Sequence, residues 1–244
     1  TGIQLSGSQD NRIINNTIVE NGLHGISLDH NSSQNNISLN SINGNNGSGI
    51  ALWNNSDGNL LEDNDLSSNQ LGISLWEGCD RNLILRNNAS ANAFSGIQIY
   101  KSMENTIAEN TAASNNYSGI ASVSSMKSRI MDNNLSQNRY GINLAGSSDE
   151  EVTGNLALSN LMQGIKVTDS VNMSLKENQL HKNQYALLIT DSQSIEAYSN
   201  NASLNDLGMA FQHCRRCTVK ENTISKNSNG LVLAGSSQCI LSFN

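Results

Sequence analysis

The chain has 244 residues, a formal net charge of −7 and only 4% aromatic residues. This acidic balance argues against nucleic-acid binding, which needs a basic surface facing the phosphates. No run of apolar residues approaches the ~18 that a membrane span needs. With 40 Asn, 36 Ser and 36% apolar residues, composition alone would favour disorder, so the fold has to be inferred from periodicity.

A repeat of 22 to 24 residues runs along the whole chain. Its first element is a glycine followed by an apolar residue, and Ala186 occupies the one slot that lacks the glycine. The glycines are Gly2, Gly25, Gly49, Gly72, Gly96, Gly119, Gly141, Gly164, Gly208 and Gly230. A period of this length is typical of a solenoid, in which each repeat stacks on the next.

Each repeat contains three short apolar segments. The glycine-led segment alternates with period 2, as at Ile26 and Leu28, which predicts a strand. Two further apolar columns begin at Ile13 and Ile18. Three strands leave no room for a helix, and parallel crossovers are right-handed. The sequence therefore predicts an all-β, right-handed parallel β-helix of about ten coils with three short strands per coil. We expect a single domain over residues 1–244.

Two asparagine columns alternate with the apolar columns. The first is Asn16, Asn40, Asn64, Asn87, Asn110, Asn133, Asn155, Asn178, Asn200 and Asn222. The second is Asn21, Asn45, Asn69, Asn92, Asn115, Asn138, Asn160, Asn183, Asn205 and Asn227. A side-chain amide donates and accepts, so each Asn is expected to bond to the Asn one coil away and to local backbone. Asn also tolerates the left-handed backbone that sharp corners need.

A third column begins with asparagine and then loses it. Its members are Asn11, Asn35, Asn59, Asn82, Asn105, Ser128, Glu150, Met173, Ile195, Cys217 and Cys239.

The repeated pattern N-x-[IVLA]-x-x-N-x-x-(x)-G-I-x-[LIV] resembles the repeats of the NosD-like and carbohydrate-binding/sugar-hydrolase (CASH) right-handed β-helix families. The resemblance covers essentially the whole chain and is specific for the fold. It is weakly specific for activity, because these families include polysaccharide-active enzymes, copper-handling periplasmic proteins and uncharacterised surface proteins. It implies an extracellular, cell-surface or periplasmic location.

Four consecutive coils carry Asp29, Trp53, Trp76 and Tyr100 directly after the glycine-led strand, so both tryptophans of the chain lie one coil apart. Tryptophan beside a few polar groups suits stacking on sugar faces. The candidate ligand-binding residues are Asp29, Trp53, Asn54, Asp57, Trp76, Glu77, Asp80 and Tyr100. The outward residues of the preceding strands are small, which predicts an open flat shelf beside the rings: Ser27, Ala51 and Ser74. The alternative is that the rings only pack over the corner.

Charge is uneven along the chain. Residues 1–122 carry a net charge of −7 and residues 123–244 are neutral, so a neutral glycan is favoured beside the tryptophans. A second apolar column, which includes Phe94, Tyr117 and Tyr140, precedes the glycines and is interpreted as corner packing. Isolated histidines at turns are interpreted as solvated: His24, His30 and His181.

The segment from His213 to Cys217 contains a CxxC, and Cys239 follows one coil later. Thiolates with imidazole suit Cu(I) or zinc, so His213, Cys214, Cys217 and Cys239 are candidate metal ligands. The favoured interpretation is that these cysteines fill buried columns as small apolar side chains. A Cys217–Cys239 disulfide is a further alternative. No cofactor is predicted.

Evidence for catalysis is weak. Glu109 and Asp132 fall in consecutive coils and could lie ~5 Å apart, but their column lies in a turn. The run Asp149–Glu151 lies at a turn and has no basic or histidine partner in the neighbouring coils. Acidic motifs of the hydrolase relatives are absent, so no catalytic residue is predicted.

The leading prediction for function is a non-catalytic surface or periplasmic domain that binds carbohydrate or serves as a rigid spacer. A NosD-like role in copper or metal handling is the first alternative. The second is a polysaccharide lyase or hydrolase whose site lies outside this sequence. Because the repeat starts and stops in mid-pattern, we expect a fragment of a longer protein. Its ends would be capped by further sequence or by another chain, end to end.

Overall fold

The computed structural model describes residues 1–244 and contains strands, turns and no helix. Each coil passes through three faces and a short fourth side, and every strand pairs in parallel with at least one strand of a neighbouring coil. The predicted parallel β-solenoid is confirmed. No helix in the structure is long and apolar enough to cross a membrane.

Face 1 is an 11-stranded parallel sheet built from the glycine-led segments. Its strands are Ile3–Ser6, Ile26–Asp29, Ser48–Trp53, Leu71–Trp76, Ile97–Tyr100, Ser118–Val123, Tyr140–Ala145, Gln163–Thr168, Tyr185–Thr190, Leu207–Gln212 and Asn229–Ala234. Face 2 is a second 11-stranded sheet. Its strands are Arg12–Ile14, Asn36–Ser38, Leu60–Glu62, Leu83–Leu85, Thr106–Ala108, Arg129–Met131, Glu151–Thr153, Ser174–Lys176, Glu196–Tyr198, Thr218–Lys220 and Ile240–Ser242.

Face 3 forms regular strands only toward the two ends of the rod. They are Thr17–Val19, Ser41–Asn43, Leu156–Leu158, Gln179–His181, Asn201–Ser203 and Thr223–Ser225. Single bridges continue this face through the middle, at Asp65, Asn88, Thr111 and Asn134. The fourth side, between faces 1 and 2, is one bridge wide from Met103 onward. With so few paired residues, face 3 and the fourth side are shorter than face 1 in each coil.

The apolar columns fill the inside of the coil. Ile26, Leu28, Ile50 and Leu52 are fully buried, and they belong to one uninterrupted apolar cluster that follows the rod. Burying each such side chain contributes roughly 1.5–3 kcal/mol. Stacking is therefore the main source of stability, because a single coil could not bury its own apolar face.

The asparagine columns lie just inside the corners. The backbone N–H and Nδ2 of Asn64 both donate to Oδ1 of Asn87, at 3.0 and 2.9 Å. Nδ2 of Asn64 also donates to the carbonyl of Ile37 in the preceding coil, at 2.8 Å. One amide thus connects three coils. The first column extends to Asn244, which accepts from the backbone and side chain of Asn222.

The left-handed corner residues are not the column asparagines. Positive φ falls one position earlier, for example at Leu39 (57°), Asp63 (52°) and Arg86 (50°). The expectation that the column asparagines supply this backbone is therefore wrong. Their amides point inward and bond along the rod, while the preceding residue turns the chain with its side chain outside. This conformation costs a non-glycine residue about 1–2 kcal/mol. The hydrogen bonds of the asparagine amide at the same corner offset this cost.

The acidic run predicted at a turn includes Glu150, whose side chain lies inside the coil. It occupies the third column and is only 1% exposed, unlike the outward Asp149. Ser122 Oγ donates to its Oε1 at 2.6 Å, and its Oε2 has no partner. Burial in this apolar surrounding raises the pKa of Glu150 to about 7. The run is therefore split between the surface and the core.

Candidate functional site

Three aromatic rings form a row along the outer side of face 1. Trp53 pairs in register with Trp76, and Trp76 pairs with Tyr100. The two indole centroids are 5.6 Å apart with planes 21° from parallel, whereas the centroids of Trp76 and Tyr100 are 4.9 Å apart with planes tilted by 52°. All three side chains are partly exposed and none points into the core. We call Trp53, Trp76 and Tyr100 the aromatic row.

The row leans back over its own strands. The ring of Trp53 lies 6.0 Å from that of His24, which stands beside the start of the Ser48–Trp53 strand. Ala51 and Ser74 beneath the rings are buried, and Ser74 Oγ lies 2.8 Å from the buried Ser48 Oγ. The predicted open shelf of small residues is therefore wrong. These positions are small because the rings cover them.

His24 also differs from its interpretation as a solvated residue. Its Nδ1 accepts the backbone N–H of Ser48 at 3.0 Å, and burial lowers the pKa of the imidazole. A neutral ring next to Trp53 extends the apolar surface by one coil. The sequence signal was its place directly before Gly25, close to the column that elsewhere carries aromatic residues.

Asp29 and Asn54 lie at the same strand ends as the row. Asp29 Oδ1 accepts from Nδ2 of Asn54 and from the backbone N–H of His30, both at 2.8 Å. The imidazole of His30 lies 2.9 Å from Oδ2 of Asp29. Glu77 is exposed directly after Trp76, at a left-handed position. These groups give the row a polar border on the side where the chain turns.

Asp57 and Asp80 are separated from the row by a corner. Asn54 and Asn55 both have positive φ, so the chain turns between Trp53 and Asp57. Asp57 accepts the backbone N–H of Asp80 at 2.9 Å and pairs with Arg81 at 3.0 Å. Asp80 accepts the N–H of Met103 at 2.7 Å, and partial burial raises its pKa. Both carboxylates thus connect neighbouring coils along the short fourth side.

One lysine that the sequence analysis missed also belongs to the surroundings of the row. Nζ of Lys101 lies 4.9 Å from the ring centroid of Tyr100. Spacing gave no signal for it, because the residue has no counterpart in the neighbouring coils. A depression of about 520 Å³ lies elsewhere, near Ser159, Lys182 and Leu204. The row is therefore an open surface and not a pocket.

The candidate metal ligands near the C-terminus are divided between inside and outside. Cys214 and Cys217 are fully buried, whereas His213 is exposed and faces Asp191 at 3.4 Å. All four cysteines of the chain are free thiols. Nowhere in the structure do three or more His, Cys, Asp or Glu side chains come together as a metal site would need. The buried cysteines occupy positions that elsewhere hold Ser, Asn or apolar residues.

Comparison with known proteins agrees with this architecture. A family model described as the right-handed β-helix region matches residues 66–202, which is more than half of the chain. The chain belongs to the right-handed β-helix family. The model of the periplasmic copper-binding protein NosD matches residues 1–93. No curated protein sequence matches the chain.

Several solved structures are similar in fold. The Azotobacter vinelandii mannuronan C-5 epimerase AlgE4 A-module is 13% identical with a TM-score of 0.70, over 91% of this chain and 80% of its own. The periplasmic alginate epimerase AlgG is 15% identical with a TM-score of 0.65, over 98% and 74%. The Dettilon tailspike protein is 11% identical with a TM-score of 0.71, over 92% and 61%. Identities this low show the shared fold alone.

The copper chemistry of NosD does not fit the side chains in the matching region. Cys79 is the one cysteine in residues 1–93. Its thiol is buried, and burial raises the pKa of Cys79 to about 11, so it is a poor thiolate donor to a metal. His24 uses Nδ1 to accept from Ser48, and His30 is held by Asp29. No third ligand approaches any of them. A resident copper site is not supported by these residues.

Proposed function

We propose that this family member is a non-catalytic carbohydrate-binding domain of the cell surface or periplasm, and that it holds a neutral glycan against the aromatic row. The observation that carries the proposal is the spacing of the rings. Steps of 5.6 and 4.9 Å bring Trp53, Trp76 and Tyr100 into one contiguous row of partly exposed rings on the outside of the rod. The apolar C–H faces of sugar rings pack against exposed aromatic rings.

Charge supports a neutral ligand at this end of the rod. Residues 1–122 carry a net charge of −7, so a polyanion would be repelled there. Asp29, Asn54 and Glu77 border the row, and their oxygen and amide groups suit hydroxyls of a bound sugar. In this arrangement the rings supply contact area and the polar border sets the orientation of the ligand.

The comparisons support an association of this fold with carbohydrates and with the periplasm. The similar folds include proteins named as alginate epimerases and tailspikes, and AlgG and NosD are both described as periplasmic. A role as a rigid spacer remains the second candidate, because the stacked coils form an uninterrupted rod. In that case the aromatic row would contribute packing alone.

A catalytic role is not proposed. Asp57 and Asp80 are engaged by Arg81 and backbone N–H groups beyond the corner. Glu109 and Asp132 are exposed on left-handed corner positions between faces 2 and 3, away from the row. Acid–base catalysis on a glycan needs carboxyl groups on either side of the scissile bond, whereas the carboxyl groups beside the rings, Asp29 and Glu77, both lie on the side where the chain turns.

Intrinsic fluorescence tests the proposal directly, because both tryptophans of the chain are in the row. A panel of neutral oligosaccharides titrated into the protein should change tryptophan emission, and isothermal titration should give the same affinity. The double variant Trp53→Ala/Trp76→Ala should lose binding in calorimetry. Trp53→Phe/Trp76→Phe should keep part of it, because phenylalanine still stacks.

Tyr198→Ala is the matched control, because it removes a partly exposed ring from face 2. It should leave binding unchanged. Circular dichroism must show the same β content for all variants. If neutral glycans cause no change in emission or heat across the panel, the spacer role is favoured and the binding proposal is wrong.

A further inference from the structure

A second group of rings lies on the outer side of face 1, toward the other end of its strands. The rings of Phe94 and Tyr117 are stacked, 4.8 Å apart and 8° from parallel. Tyr117 and Tyr140 follow at 5.2 Å in an edge-to-face arrangement. The apolar side chain of Phe94 is 44% exposed to solvent. This column was interpreted as corner packing, but its outermost ring is open to solvent.

Two cations stand over these rings. The guanidinium carbon of Arg139 lies 6.0 Å from the centroid of Tyr117 and 5.5 Å from that of Tyr140. Nζ of Lys166 lies 5.6 Å from the centroid of Tyr140. We call Phe94, Tyr117, Arg139, Tyr140 and Lys166 the aromatic–cationic cluster.

Neither cation of the cluster has a carboxylate partner. The ion pairs of the protein engage other basic groups, and Arg81, Arg86 and Arg129 each lie beside at least one Asp or Glu. In an acidic protein, two neighbouring unpaired cations on one face create a local positive potential. The Arg139 fork also remains free to bind an anion with two parallel N–H bonds, since its Nε contacts only the Met162 sulfur.

A neighbouring polar group lacks a partner as well. Asn143 is in register with Lys166 in the following coil and faces outward on the Tyr140–Ala145 strand. Its Oδ1 is buried and makes no hydrogen bond. Unsatisfied buried oxygens are uncommon in native structures. This acceptor is available to a donor group of a bound molecule that reaches it.

We propose that the aromatic–cationic cluster binds an anionic group on a saccharide, whose apolar ring face packs against the exposed Phe94. Carboxylate, sulfate and phosphate all match the Arg139 fork and the Lys166 ammonium. The inference rests on the proposed function, because it extends the same glycan-binding face. The neutral part of the glycan occupies the aromatic row, and an acidic part occupies the cluster.

The geometry of face 1 links the two parts. The coil that contains the Ile97–Tyr100 strand carries Phe94 before the strand and Tyr100 at its end, with Gln98 facing outward between them. From the strand of Trp53 to that of Lys166 there are five strand spacings, or about 24 Å at ~4.8 Å each. An extended oligosaccharide can therefore cross the face diagonally and contact both sites.

Calorimetry with three acidic oligosaccharides tests the inference and identifies the anion: an oligouronate, a sulfated glycan and a phosphorylated glycan, each matched in length to a neutral one. At least one acidic probe should bind, and its affinity should fall as ionic strength rises. Arg139→Gln/Lys166→Gln should weaken that binding by about tenfold or more and leave neutral glycan binding unchanged. Phe94→Ala should weaken it by a smaller factor.

Arg215→Gln/Lys226→Gln is the matched control, because it removes the same net charge from exposed residues away from face 1. Equal losses in both double variants would overturn the inference, since the effect would then be one of net charge. So would acidic binding that neither cluster variant changes. If the wild type binds neutral glycans, loses that binding in Trp53→Ala/Trp76→Ala and binds no acidic probe, the proposal for the cluster is wrong and the proposal for the aromatic row stands. If the wild type binds an acidic probe but no neutral glycan, the proposal for the aromatic row is wrong and the proposal for the cluster stands.

Discussion

Asn110 illustrates how a single side chain stabilises three consecutive coils. Its backbone N–H and Nδ2 donate to Oδ1 of Asn133, at 2.9 and 3.0 Å. Nδ2 also donates to the carbonyls of Ile84 and Ala108, and Oδ1 accepts from Asn87. All of these groups are buried, so each bond removed leaves a polar atom unpaired in a low dielectric.

We therefore expect Asn110→Ala to lower the free energy of unfolding by ~1–3 kcal/mol, the cost of leaving buried partners unsatisfied. Chemical denaturation followed by circular dichroism measures this change. Asn116→Ala is the matched control, because Asn116 is exposed and stands outside the columns. A melting curve of Asn110→Ala that overlays the wild type would contradict the role assigned to these amides.

Glu150 places a titratable group where neighbouring coils have Asn, Ser or apolar side chains. Ser122 donates to one carboxyl oxygen, while Ser128 in the preceding coil has an unpaired hydroxyl. Burial raises the pKa from 4.5 to about 7, so the folded protein favours the neutral acid. Between these pH values the unfolded chain ionises first, and the stability present at low pH is lost as the pH rises.

The expected loss is about 3 kcal/mol between pH 4.5 and 7, at 1.36 kcal/mol for each unit of pKa. Glu150→Gln should remove this dependence, because its amide does not titrate. Urea unfolding at several pH values gives the comparison, and Glu151→Gln serves as the control at a partly exposed neighbour. A wild-type stability that stays level over this range, after correction by the control, would argue against a buried carboxyl.

At the scale of the strand, the glycine column allows the backbones to approach closely near the start of each face 1 strand. A Cβ on Gly119 would lie 2.8 Å from the carbonyl of Gly141 and 2.9 Å from that of Ala112. Glycine is needed here for close approach, because no positive φ occurs at this position. Ala186 fills the equivalent slot in one coil, which shows that the surrounding backbone can adjust locally.

Gly119→Ala should accordingly destabilise the protein by about 1–3 kcal/mol, as is typical of overpacking. Gly22→Ala is a close control, since a Cβ there would meet nothing within 4 Å. That variant should be neutral or slightly more stable, because alanine restricts the unfolded chain. Thermal unfolding distinguishes the two, and equal melting temperatures for both variants would refute the close-approach explanation.

Periodicity predicted the strands because each column repeats one structural environment. It also predicted that Trp53 and Trp76 would be neighbours, since both directly follow a glycine-led strand. It did not predict that the rings lean back toward His24, because side-chain direction depends on what lies beneath. Nor did it separate Asp57 from the row, because the corner depends on two successive left-handed residues.

Glu150 shows a different limit. It falls in the third column, but it also belongs to the acidic run Asp149–Glu151, which is predicted at a turn. The column was the better guide, since a residue shifted by one position would face the opposite side of the coil. The cations over Tyr140 had no such signal, because Arg139 and Lys166 come from different coils and different sequence columns.

At the scale of the whole molecule, the rod converts a sequence repeat into a spatial repeat. Coils follow one another at the strand spacing of ~4.8 Å, which is close to the length of one residue in an extended glycan. Successive sugars can therefore meet equivalent positions on successive coils. The chemistry along face 1 changes from uncharged rings bordered by acids to rings with unpaired cations. If both binding proposals hold, position along the rod selects the type of sugar.

This geometry predicts how the affinity for neutral glycans depends on their length. The aromatic row spans three coils, so affinity should rise up to about three stacked sugars and then level off, since neighbouring coils add no further ring in this column. Apolar burial on the rings contributes ~1–3 kcal/mol, which alone corresponds to a dissociation constant of about 6 to 180 mM for one chain. Ionic strength should have little effect, because no charge is neutralised.

Calorimetry with a neutral oligosaccharide series of increasing length measures this dependence. Trp76→Ala should lower the plateau more than Trp53→Ala, because Trp76 is the central ring and contacts both neighbours. Attaching several copies of the domain to one scaffold should raise the apparent affinity for long polymers by avidity, without changing the plateau for short ones. An affinity independent of length, or equal effects of the two tryptophan variants, would show that the sugars bind one ring at a time and not along a continuous row.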